Sequence, residues 1–247
     1  MKTASKGPGG NTVALPGKSP RTVGRVGVGK YQGHRALITD GVIFSVEVSD
    51  SDPPFGYWAA MLPSGKPRTA LLLGLGGGTL AHLLSRRFHR IRITGIDNDP
   101  DLLTFAREHF DLSLPNLKVV VTDAFDYVTR CRRRYDFVAV DLFVGSAFER
   151  GVLSPDFLRR LNAIRSDDGE IAINLYRDKC ASVYLARIRR ILPVSRVDHL
   201  PCNLIAHCCP ARVLPRQNDP ERGIAFLCES RTSHPAPTQR VQEKFFD

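Results

Sequence analysis

The chain has 247 residues, 43% of them hydrophobic, and a formal net charge of +10. That size allows one good-sized domain with a small appendage, and the apolar fraction suits a packed core rather than a disordered chain. No apolar run approaches the length of a membrane span and no hydrophobic stretch follows the N-terminal lysines, so a cytoplasmic protein without membrane contact is expected.

Residues 1–30 carry Lys2, Lys6, Lys18, Arg21, Arg25 and Lys30 with no acidic partner, amid Gly, Pro, Ser and Thr. This reads as a disordered basic arm, a solvated tail in preference to a nucleic-acid tether. In residues 31–66, "HRALITDGVIFSVEV" alternates apolar and polar positions around Asp40-Gly41, a hairpin signature. A loop follows, with a short apolar helix near Tyr57 to Leu62.

From Thr69 the rhythm becomes strand, turn, helix, repeated, through a domain spanning 67–230 and ending in a tail at 231–247. "ALLLGL" is a continuous apolar run, as in a strand buried on both faces. Leu80, Leu83, Leu84 and Phe88 then recur at helical spacing. "IRITGID" is the second strand, and Asp99-Pro100 caps and starts the next helix. "LKVVVTD" and "YDFVAVDLF" are the third and fourth strands, and Ser154-Pro155 opens another helix. Asp168-Gly169 is expected to turn into a fifth strand, "EIAINLY". A helix at "SVYLARIRRIL" leads to "VSRVDHLP" and then to "NLIAHCC" or "GIAFLCE", either of which could supply the last strand. The alternation predicts an α/β, doubly wound, mostly parallel Rossmann-like sheet closed by an antiparallel hairpin.

The six cysteines form no C-x-x-C pair, as expected of reduced thiols in a cytosolic protein. Cys202, His207, Cys208 and Cys209 are close in sequence, but neighbours on a strand point to opposite faces, and the spacing matches no standard zinc pattern. No metal is expected.

Gly74, Gly76, Gly77 and Gly78 sit between the first strand and first helix, where glycine permits a sharp turn and close approach of a ligand. No Gly-Lys-Ser/Thr follows, so a phosphate-binding P-loop is excluded. Asp97 ends the second strand, where a carboxylate can bind both ribose hydroxyls; Asp123, beside Ala124, ends the third, where it can accept from an adenine amino group; Asp141 ends the fourth. Three carboxylates beside a glycine loop point to a nucleoside without a phosphate chain, and S-adenosylmethionine fits.

These motifs resemble the spermidine synthase (polyamine aminopropyltransferase) family within the class I methyltransferase superfamily, whose seven-stranded sheet is therefore expected here. The resemblance runs from about His34 to about Leu192. "DGVIF" and "YWA" echo the family's N-terminal motifs, "GLGGGT" its glycine loop, Asp97-Asn98-Asp99 its "E-I-D", Asp123-Ala124 its adenine-contacting pair, and "YDFVAVD" its fourth strand. The resemblance implies S-adenosylmethionine or its decarboxylated form as donor, Asp141 as proton acceptor and Tyr57 in the acceptor pocket. Two departures stand out. The loop aspartate that holds the donor's aminopropyl end is Gly77 here, and the second aspartate of the polyamine site is Val144. A cationic acceptor needs carboxylates, so the polyamine side is eroded.

The expected function is thus methyl or aminopropyl transfer to an unspecified small-molecule acceptor, with a homodimer compatible with the sequence. The rival is a non-catalytic protein that binds an adenosyl ligand or, through its arm and Arg130 to Tyr135, nucleic acid.

Overall fold

In the computed structural model, which describes residues 13–14, 26–39, 41–49, 56–144 and 147–210, the elements follow one another as β1 (Val13–Ala14), β2 (Val26–Tyr31), β3 (His34–Thr39), β4 (Val42–Val46), α1 (Gly56–Ala60), β5 (Thr69–Leu73), α2 (Thr79–Arg87), β6 (Arg92–Asp97), α3 (Pro100–His109), β7 (Leu117–Val121), α4 (Ala124–Arg130), β8 (Tyr135–Val140), β9 (Phe143–Val144), β10 (Ala147–Phe148), a 3-10 turn (Arg150–Leu153), α5 (Pro155–Ile164), β11 (Arg165–Tyr176), α6 (Ala181–Arg189), β12 (Val194–His199) and β13 (Asn203–Cys208).

The main sheet has the order β1-β7-β6-β5-β8-β11-β13-β12. Seven long strands carry it, and the two-residue β1 adds a parallel edge against Val120 and Val121. Among the described residues only β13 runs against the others, inserted antiparallel between β11 and β12. This places "NLIAHCC" in the sheet; "GIAFLCE" and the expected tail lie outside the described residues. Strand order reverses between β5 and β8, which opens a crevice at their carboxyl ends.

The two apolar strands at this reversal feed two cores. Leu71, Leu73, Val138 and Val140 pack with the buried residues of α4, α5 and α6. Ala70, Leu72, Phe137 and Ala139 pack on the other face with α2 and α3. The alternation follows from the two-residue period of a strand, and burial on both faces explains the unbroken apolar runs. Caps set the helix starts: Asp99 accepts from Asp101 and Leu102 N–H, each at 3.0 Å, and Ser154 accepts from Phe157 N–H at 3.3 Å.

Two expectations are corrected. The expected hairpin is present as β3–β4, but residues 26–30 of the stretch read as an arm belong to β2, which adds a third antiparallel strand beside β3. Val26 and Val28 pack on the core, but the alternating Gly27 and Gly29 and the flanking basic residues hid the strand pattern. The Asp168-Gly169 turn is instead an irregularity within β11, where register against β8 shifts between Arg165 and Glu170. The Arg165 guanidinium donates to the carbonyls of Ser166, Asp167 and Gly169 at 3.0–3.1 Å and so fills the gap.

His207 is the centre of a buried ionic cluster. Its Nδ1 lies 2.5 Å from Glu170 Oε1, and Nε2 lies 2.8 Å from the Ala60 carbonyl and 3.4 Å from Asp198. Glu170 also accepts from Ser64 N–H at 2.8 Å, so the cluster clamps the far end of α1 to the sheet. Burial pulls the His207 pKa down, but the Asp198 and Glu170 carboxylates outweigh it, and the net shift is upward against the opposing Arg196. For Glu170, burial pushes up but His207 prevails, and the net shift is downward. The raised imidazole contributes stability that is complete below its ordinary pKa of 6.5 and fades as pH rises through the higher folded value. The depressed carboxylate contributes above its ordinary pKa of 4.5 and fades as pH falls through the lower folded value. The melting temperature is therefore expected to peak in mildly acidic buffer and to fall on both sides. In His207→Gln the alkaline fall should flatten, which thermal melts across a pH series would show.

Candidate active site

A cavity of about 690 Å³ opens at the strand reversal, within the range of about 300–1,000 Å³ usual for small-ligand pockets. Its floor is the β5–α2 loop. Gly74 adopts φ +85°, and a Cβ there would stand 2.0 Å from the Asp141 carbonyl oxygen. Asp141 N–H in turn donates to the Leu73 carbonyl at 2.8 Å, which locks the ends of β5 and β8 together. Only glycine fits this left-handed, crowded position. Gly74→Ala is expected to destabilise the fold by about 1–3 kcal/mol, read from the urea midpoint.

Asp97 accepts from Leu75 and Gly76 N–H through Oδ2, at 3.0 and 2.9 Å, and from Asp99 N–H through Oδ1. Burial holds its carboxyl above the ordinary range despite these donors. It thus shapes the loop and lines the cavity at once. Asp123 accepts from Phe125 and Asp126 N–H at 2.8 and 3.1 Å as the N-cap of α4, and both it and Ala124 line the cavity.

At the opposite side, Asp141 Oδ2 accepts from the Tyr57 hydroxyl at 3.0 Å and Oδ1 from the Asn174 amide at 2.8 Å. Burial pushes its pKa up to about 6, against the pull of these two donors. Near neutral pH it is an ionised carboxylate on the threshold of protonation, the state a general base requires. Tyr57, carried by α1, lies beside Trp58 with ring centroids 4.2 Å apart, and both rings face the cavity together with Phe143 and Val144.

The glycine cluster divides by role. Gly74 and Gly76 line the cavity, whereas Gly77 and Gly78, expected to bind the ligand, lie behind it. Gly77 N–H donates to Ser45 Oγ at 2.7 Å, and a Cβ on Gly77 would come within 2.7 Å of the Ser45 Cβ. A Cβ on Gly78 would meet Leu112 at 2.3 Å. These two glycines serve packing. Gly78 makes room for Leu112, and Gly77 lets β4 close over the loop, where Thr79 Oγ1 also exchanges two hydrogen bonds of 2.8 Å with the Val46 backbone.

Residues 70–160 match the family model described as "Methyltransferase domain". The chain belongs to the class I S-adenosylmethionine-dependent methyltransferase superfamily. It is 32% identical over 198 residues to the "N-terminal histidine N-methyltransferase" of Emericella nidulans, covering 72% of this chain. The chain spans 35% of that relative's length. Human Methyltransferase-like protein 13, solved in complex with SAH, superposes with a TM-score of 0.53 at 26% identity, over 61% of this chain and 74% of that one. The spermidine synthase of Thermotoga maritima shares the fold, with a TM-score of 0.59 at 14% identity over 85% of this chain and 81% of that one.

In a member of this superfamily the residues present fit an adenosyl ligand. Asp97 can take the ribose hydroxyls, Asp123 and Ala124 the adenine, and the Gly74–Gly76 backbone allows close approach. Sequence reasoning missed Ser45, Asn174 and Asn203. The first is marked only by its spatial partner, and the two amides are paired only once the β11–β13 register is known. The Arg130–Tyr135 run lies at the amino ends of the strands, away from the cavity, where Arg134 pairs with Asp167 at 2.6 Å and the Arg133 guanidinium covers the Tyr135 ring. Among the described residues no group of three or more His, Cys, Asp or Glu could hold a metal, and no helix is long and apolar enough to cross a membrane.

Proposed function

We propose that this chain transfers the methyl group of S-adenosylmethionine to an amine nitrogen of a peptide or protein, with Asp141 taking the proton. The observation that carries this reading is Asp141 itself. Its carboxylate shares the cavity with Asp97 and Asp123, and the hydrogen bonds to it come from neutral groups, Tyr57 and Asn174. S-adenosylmethionine supplies an electrophilic methyl carbon that needs no covalent help from the protein. What the residues contribute is position and a proton sink. The cavity walls hold the nitrogen in line; its lone pair forms the new N–C bond as the methyl–sulfur bond breaks, the electron pair returns to sulfur and S-adenosylhomocysteine leaves, and Asp141 accepts the N–H proton that the nitrogen sheds.

Methyl transfer is favoured over aminopropyl transfer by two positions. Gly77, aligned with the loop aspartate that serves aminopropyl donors, is packed against Ser45 behind the cavity. Val144, aligned with a polyamine-binding carboxylate, presents an apolar side chain. The amine acceptor is supported by the name of the Emericella nidulans relative.

The test offers the protein methyl-labelled S-adenosylmethionine with peptides bearing free or acetylated α-amino groups, and decarboxylated S-adenosylmethionine with putrescine. Label is expected in the free-amine peptides alone. Spermidine formation, or label in none of the amines, overturns the reading.

A further inference from the structure

Asn174 is a polar residue deep in the sheet. Ile171, Ala172, Ile173 and Leu175 around it on β11 are fully buried, and Asn174 itself is 1% exposed. A buried amide is costly unless its donors and acceptor are matched. Here Nδ2 donates to Asp141 Oδ1 at 2.8 Å, while Oδ1 accepts from Asn203 Nδ2 at 2.9 Å. Asn203 begins β13, pairs in register with Tyr176 and lines the cavity.

The direction of these bonds is dictated from one end. An ionised carboxylate only accepts, so Asn174 must turn its NH₂ toward Asp141. Its carbonyl oxygen then faces Asn203, which must donate in turn. A flipped Asn174 would set oxygen against carboxylate and NH₂ against NH₂, losing both bonds. The chain of two amides therefore has one self-consistent polarity, and Tyr57 fixes the other carboxylate oxygen.

We infer that Asn203 and Asn174 form a two-amide relay that orients the Asp141 carboxylate for proton acceptance, an inference that rests on Asp141 being the proton acceptor proposed above. Asn174 and Asn203 are positioning residues. Hydrogen bonds donated to a carboxylate favour its charged form, and here they oppose the burial that disfavours it. Asn203 adds selectivity. By donating to Asn174 Oδ1 it holds the amide in the polarity that the carboxylate dictates.

The test is NMR titration of the full chain carrying ¹³Cγ-labelled aspartate, with the Asp141 resonance identified by its loss in Asp141→Asn. Its midpoint is expected near 6 in the unaltered protein. In Asn174→Leu, which removes the donor at similar volume, the midpoint should rise by about one pH unit. In Asn203→Ala it should rise in the same direction by less. A merely structural role would lower the melting temperature and leave the midpoint in place, and an unmoved midpoint in folded Asn174→Leu overturns the relay. Should Asn174→Leu fail to fold, Asn203→Ala at the cavity lining decides, and an unmoved midpoint there overturns it equally. The titration reads Asp141 without any acceptor. A shifted midpoint in a protein that methylates no amine sinks the proposed function alone, and a fixed midpoint in an active protein sinks the relay alone.

Discussion

Asp141→Asn is expected to lower methyl-transfer turnover by about 10²–10⁴-fold, the range for loss of a positioned general base, while donor affinity stays nearly unchanged. The asymmetry follows from timing. The proton leaves the nitrogen only as the new bond forms, so the carboxylate matters in the transition state and little in the ground state. The pH dependence adds a second signature. With a carboxyl pKa of about 6, turnover should decline as pH falls through that value, because the group that accepts the proton is then already protonated. The Asp141→Asn profile should lose this limb. An unchanged turnover would make Asp141 a structural residue that ties β8 to Tyr57 and Asn174, and the nitrogen would have to give its proton to water.

Asp97→Ala should weaken binding of S-adenosylmethionine by about 1.5–3 kcal/mol, or roughly 10- to 150-fold in Kd. Two losses combine. The carboxylate is the group placed to accept from ribose hydroxyls, and its Oδ2 also gathers the Leu75 and Gly76 N–H groups that give the loop its course. Asp97→Asn separates them, since it keeps an oxygen for the loop but removes the charge. Calorimetric Kd values for both variants would check this, and unchanged affinity in Asp97→Ala would remove Asp97 from the donor site.

Much of this site was legible in the sequence because it is built from strand ends. A run such as "ALLLGL" marks a strand buried on both faces, and the residue after each such run stands at the crevice, so Asp97, Asp123 and Asp141 could be grouped before any coordinates. Caps were equally local: Asp99 and Ser154 announce helices because their side chains replace backbone partners within three residues. What could not be read depends on contacts between distant segments. Gly77 and Gly78 look like ligand-binding glycines until Ser45 and Leu112 are seen to occupy the space beside them. Val26–Tyr31 escaped notice because its apolar positions alternate with glycine. Asn174 and Asn203 are twenty-nine positions apart and carry no motif, and only the antiparallel pairing of β11 with β13 makes them one unit.

The function proposed for this chain requires the crevice between β5 and β8 to bind S-adenosylmethionine. Calorimetric titration of the full chain with S-adenosylmethionine and with its product S-adenosylhomocysteine tests it most directly. Saturable binding of both at a single site is expected, weakened in Asp97→Ala. Absence of binding by either ligand to the folded, unaltered protein would contradict it.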